Sequence, residues 1–143
     1  MHTISLDHAQ SIIGHALAHA RAHNLAPLAV AVLDMRGVLK AYGAEDGTSL
    51  LRFQLAFGKA NAALGLGFGT HELERRAEKR PQFVSALAVA SGGTVIPARG
   101  GVLVLNDDGD IIGAVGISGD HSEHDEQAAV AGIEATGLRP DAG

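Results

Sequence analysis

Apolar residues open the chain at helical spacing: Leu6, Ala9, Ile13, Ala16, Leu17 and Ala20 share one face. With Ser5 in capping position they predict a helix over 6–23. LAVAVLD, residues 28–34, is instead a continuous apolar run of strand length, the pattern of a strand buried on both faces. Asp34 to Gly37 reads as a turn, and VLKAY returns as a second strand. Residues 49–64 read as a second helix, broken by GFGT. HELERRAEKR follows as a charged helix with acids early and bases late, as the helix dipole favours. Pro81 stops or restarts it, and residues 82–90 form an apolar, helix-like segment ending at Gly92–Gly93. VLVLN, the DDGD turn and IIGAVGIS then predict a second hairpin, and a last helix runs over 123–136. Hairpins imply an antiparallel sheet, and the helical insert must cross between its halves. The predicted class is α+β, with helices packed against the sheet.

The 143 residues suit one domain over 1–143, with 138–143 expected to be a frayed tail. The absence of cysteine removes disulfides, zinc–thiolate sites, iron–sulfur clusters and thiol nucleophiles. A formal charge of −5 offers no basic field for phosphates, and 3% aromatics leave little for base stacking, so no nucleic-acid partner is expected. No segment approaches the roughly twenty apolar residues of a membrane span. The first ten residues, MHTISLDHAQ, lack a basic, apolar leader, so the expected compartment is the cytoplasm.

Three groups of residues carry candidate chemistry. The first is DHSEHDE, residues 120–126, which packs four acids and two histidines between the second hairpin and the last helix. Ser122-x-x-Asp125 fits a capping box. His121 and His124 could bind a metal with Asp120 or Asp125, although their spacing names no metal. Alternatively the segment faces a ligand, with Asp120, Ser122 and Asp125 hydrogen-bonding it. The second group is Arg52 and Lys59, seven apart on the second helix. They lie between an apolar face of Leu50, Phe53, Phe57, Ala60 and Leu64 and a smaller one of Leu51 and Leu55, away from Gln54, Gly58 and Asn61. Bases so placed are partly buried and need a partner, either a ligand carboxylate or the acids near Asp120. The third is a histidine stripe on the first helix, His8, His15, His19 and His23. It suits a solvated edge or oligomer contact, or a metal or haem ligand.

Taken in order, VAVLDMRGVL, EDGTS, LAFGKANAAL, GGTVIP and GDIIGAVGISG followed by an acidic, alanine-rich helix resemble the GlcG/HbpS family. This is the haem-binding-like domain also found at the C-terminus of PduO-type proteins. The resemblance runs from Leu6 to about Leu138, and its most specific pieces are Lys59–Ala60, Gly92–Gly93 with Pro97, and residues 113–119 leading to Asp125. It implies a PAS- or profilin-like antiparallel sheet flanked by helices, assembly into homo-oligomers, and haem or another tetrapyrrole as ligand. Matching the family's polar positions singles out Asp46, Lys59 and Asp125.

Two functions from different classes follow. In one, the protein binds a small anionic molecule or tetrapyrrole, Arg52 and Lys59 pair with its carboxylates, and a histidine of the first helix ligates iron. In the other, it is a cofactor-free catabolic enzyme acting on a small carboxylic acid. Arg52 and Lys59 then anchor the carboxylate while Asp125, Glu126 or His121 moves protons. A third reading, an oligomeric scaffold whose polar cluster closes a subunit interface, also fits the residues.

Overall fold

The computed structural model describes residues 2–143. The chain runs α1 (Leu6–Ala22), β1 (Ala29–Asp34), β2 (Leu39–Ala44), α2 (Arg52–Leu66), α3 (Thr70–Lys79), α4 (Pro81–Ala90), β3 (Gly101–Leu105), β4 (Ile111–Ser118), α5 (Ser122–Ala135) and β5 (Arg139–Asp141). The five strands form one antiparallel sheet in the order β2-β1-β4-β3-β5. The class is α+β, as the two hairpins predict, and α2–α4 make the crossover between them.

Both hairpins turn on the same device. Asp34 Oδ1 accepts from the amides of Arg36 and Val38 (2.9 and 3.2 Å), and Gly37 takes a positive φ of 76°. In the second turn Asn106 Oδ1 accepts from Asp108 and Asp110 (3.0 and 2.9 Å), with Gly109 at φ 83°. A short polar side chain replaces the missing ladder bonds, and glycine supplies the left-handed residue.

β1 is buried at every position, and its alternate residues feed two cores. Val30 and Val32 point with Val102, Val104, Val115 and Ile117 toward α1 and α5, where Ile12, Ala16, Ala129 and Ile133 meet them. Leu33 points the other way, with Leu103 and Ala114, toward Ala60 and Ala63 of α2. The sheet is therefore sandwiched between α1/α5 and α2. A smaller core of Ala62, Leu73, Val84 and Val95 ties α3 and α4 to the side of α2.

Three local readings change. On α2 the buried face is Ala56, Gly58, Lys59, Ala60, Ala62 and Ala63, whereas Leu50 is 96% exposed and Phe53 lies at the surface. Small side chains win because they let the helix descend onto β4. A Cβ added at Gly116 would collide with the carbonyl of Ala56, and one at Gly58 with Ile96. On α1, Ser5 caps as expected by accepting from His8 N (3.1 Å), but Ile12, outside the apolar stripe read from the sequence, is fully buried. The expected frayed tail instead contains β5, paired with the edge of β3 through Leu103–Asp141, Val104–Pro140 and Leu105–Arg139. A free sheet edge is a template for pairing, and these residues occupy it.

Candidate functional site

The end of β4, the start of α5 and the buried face of α2 meet at one edge of the sandwich. Lys59 leaves α2 on its alanine side and enters the layer between helix and sheet. Its Nζ donates to Asp125 Oδ2 (3.1 Å) and to the carbonyl of Ile117 (2.9 Å). The two side chains are 6% and 1% exposed. Burial pushes the Lys59 amine down, opposed by the Asp125 charge, and pushes the Asp125 carboxyl up, opposed by Lys59. The buried partner for a basic residue on α2 is thus the acid of DHSEHDE, and this pair closes on itself.

Asp125 also organises the loop before α5. Its Oδ1 accepts from the amide of Asp120 (3.0 Å). Asp120 in turn accepts from the amides of Ala26 and His121 and from His124 Nδ1, each at 2.7 Å. The Ala26 amide and the His124 ring hold its carboxyl well down, to about 2. The expected capping box does not form. The cap is His121, without a side-chain hydrogen bond, and Ser122 is the first helical residue. Asp125 faces inward to Lys59, leaving Ser122 no acid to pair with across the first turn.

Arg52 stands outside this core. Its Nη1 donates to Ser118 Oγ (2.9 Å) and its Nε to Ser49 Oγ (3.0 Å). Among the described residues it forms no ion pair. It lines an open hollow of ≈ 320 Å³ with Ala26, Gly119, Asp120 and His121, at the small end of the roughly 300–1,000 Å³ usual for ligand pockets. The His121 ring is exposed, packed edge-on to His124 at 5.7 Å between centroids. Leu50 and Leu51, exposed just before α2, extend the apolar surface of that segment.

The remaining sequence candidates lie elsewhere. Glu126 is buried but turned away from Asp125. Its Oε2 accepts from Arg99 Nη2 (2.7 Å), and its Oε1 lies 3.6 Å from His71 Nδ1. Asp46 is exposed in the turn after β2, while its neighbour Glu45 ties the local backbone together, accepting from Leu28 N (2.9 Å) and pairing with Arg21 (2.8 Å). The α1 histidines do not line the Arg52 hollow. His19 and His23 stack on each other at 4.0 Å, and His15 Nδ1 bonds the Ser11 carbonyl (2.8 Å). The metal alternative for His121 and His124 finds no ligand set, because no three His, Asp or Glu side chains converge among the described residues. Ser118, Ser49 and Arg99 do not stand out in the sequence. Ser118 ends the GIS run of β4, and its position two residues before Asp120 is the available signal.

The description of the matching family model is "haem degrading protein HbpS-like", and it covers residues 4–134. The chain belongs to the HbpS-like family. Among solved structures it is similar to PduOC in complex with haem, at 26% identity and a TM-score of 0.85, covering 95% of this chain and 96% of that one. It is similar to the Klebsiella pneumoniae protein ORFY at 26% identity and a TM-score of 0.87, over 96% and 92% of the two chains. A double mutant of Streptomyces reticuli HbpS shares the fold at a TM-score of 0.80 and 24% identity, over 94% of this chain and 88% of that one. No curated protein matches the sequence. Membership of the HbpS-like family supports a small-ligand-binding role for the chain. No described helix is long and apolar enough to cross a membrane.

Proposed function

We propose that this protein binds haem or a related tetrapyrrole at the hollow beside Arg52. The observation that carries the reading is Arg52 itself, a half-buried arginine held by two serine hydroxyls with no carboxylate partner among the described residues. A cation fixed in this way is preorganised for an incoming anion, because no existing ion pair has to be broken. Tetrapyrrole chemistry fits the donors present. Arg52 would hold a propionate, His121 would offer an imidazole, and Leu50 and Leu51 would cover part of an apolar ring face. Haem, when bound, supplies iron. The protein's own part is to hold the loop 119–121 in place through Asp120 and Asp125 and to keep Lys59 out of solvent. The similarity to PduOC, solved with haem, and the description of the family model support the same ligand class.

The enzyme reading gains no observation of its own. Asp125 and Glu126 are each engaged by a cation, Lys59 and Arg99, and they face different sides of α5's first turn. Self-association, which the resemblance implies, belongs to the same proposal. Sedimentation velocity should show a species heavier than the 14.6 kDa chain, and a monomer at all concentrations would contradict it.

Titrating hemin into the purified protein, beside a control protein of matched size and charge, tests the ligand. A saturable shift of the Soret band, at one haem per chain or per dimer, is expected. An unsaturable rise equal to that of the control would remove haem from the account.

A further inference from the structure

A second hollow, of ≈ 250 Å³, lies where α3 ends and α4 begins. It is lined by Arg76, Lys79, Arg80 and Phe83. Arg76 is already fixed, pairing with Glu72 at 3.2 Å and lying over the Phe68 ring at 4.4 Å. Lys79 and Arg80 form no ion pair among the described residues. The nearby acids do not answer them. Glu72 is spent on Arg75 and Arg76, Glu74 bonds the amide of Arg99 (3.1 Å), Glu78 is exposed and pairs with nothing described, and α4 carries no acid in its first turn.

Cations in the last turn of α3 complement its dipole, which accounts for their presence on that helix. It does not account for Phe83, which stands 55% exposed on the same hollow, in a chain with few aromatic residues. An exposed ring flanked by uncompensated cations recognises one chemistry, a flat apolar body carrying a negative charge. We propose that the hollow between α3 and α4 is a second ligand site for such an anion, an aryl carboxylate in its simplest form. Lys79 and Arg80 hold the charged group, and Phe83 packs on the ring. The site shares no lining residue with the Arg52 hollow, so the two stand or fall separately.

The probe is 1-naphthoate, followed by amide NMR shifts of the full chain, with acetate and 1-naphthylmethanol as charge-only and ring-only controls. Saturable shifts confined to residues 76–84 are expected. Both controls, and the Arg80→Gln and Phe83→Ala variants, should bind about tenfold more weakly. Both substitutions are at the surface, and unchanged melting temperatures would show the variants intact. Arg52→Gln should leave naphthoate binding untouched. Absence of saturable shifts at 76–84, including through cover of this face by a second copy, would overturn the proposal. So would affinity that is indifferent to Arg80 and Phe83 or that is lost in Arg52→Gln.

Discussion

Lys59 brings a charge into the alanine- and glycine-rich buried face of α2, and Asp125 meets it there. Removing one partner of a buried pair leaves the other uncompensated, at a cost of roughly 3–5 kcal/mol. Lys59→Met should therefore lose about that much stability in urea unfolding. Lys59→Met combined with Asp125→Asn should recover more than half of the loss, since no naked charge remains. A Lys59→Met protein of unchanged stability would show that the pair contributes little. Asp120 gives a pH signature at the same scale. Its folded carboxyl is depressed from 3.8 to about 2, so the stability it lends is fully present above pH 3.8 and disappears as the pH falls through about 2. The amide resonances of Ala26 and His121 should titrate together in that window, and Asp120→Asn should abolish the step. Independent midpoints near 3.8 would show that Asp120 does not latch the loop. That Lys59 is at least partly buried was legible from its place on the helix. The acids near Asp120 were one of two candidate partners beside a ligand carboxylate, and the packing selects Asp125. The divergence of Asp125 and Glu126 was not legible, because two consecutive acids at a helix start look equivalent until Lys59 of α2 and Arg99, in the loop before β3, reach them from different sides. Asp46 is singled out by the family resemblance alone, and it is its neighbour Glu45 that bonds Leu28 and Arg21, a distinction between adjacent acids that nothing local encodes.

Among the elements, β1 and both hairpins follow directly from an apolar run and two glycine-containing turns. The orientation of α2 does not. Judged by hydrophobicity its Leu and Phe positions should face inward. Yet of that face only Ala60 is fully buried, Phe57 and Leu64 are partly buried, Leu50 and Phe53 lie at the surface, and Ala56 and Gly58 take the inner places. Close approach governs the choice, and close approach depends on Gly116 of β4, a residue distant in sequence from the Ala56 and Ala60 backbone it meets. Gly116→Ala should accordingly cost about 1–3 kcal/mol or more, as overpacking against backbone does. Equilibrium unfolding would check it, and a loss of a few tenths would mean the helix can lift without penalty. β5 was hidden for a different reason. Three residues containing a proline carry no strand pattern of their own, and what orders them is the unpaired edge of β3.

Across the whole molecule, the topology gathers the site from distant segments. The antiparallel pairing of β1 with β4 sets the end of β4 beside the start of β1, so the loop after Gly119 lies against Ala26. α2 then lays Arg52 across the end of β4 and Lys59 beneath it. The result has two layers, an inner ion pair that fixes the loop and an outer arginine that has no counterion among the described residues. The family and its α+β fold were legible from the order of motifs, whereas this division of labour between two basic residues required the packing. The proposed function assigns ligand affinity to Arg52, while the buried pair assigns stability to Lys59. The most direct test is a hemin titration, read at the Soret band, of Arg52→Gln beside the unaltered protein, with melting temperatures measured on both. The account predicts at least about tenfold weaker binding in Arg52→Gln with melting unchanged, as expected for loss of a charge-assisted contact. Hemin affinity equal to that of the unaltered protein would contradict it.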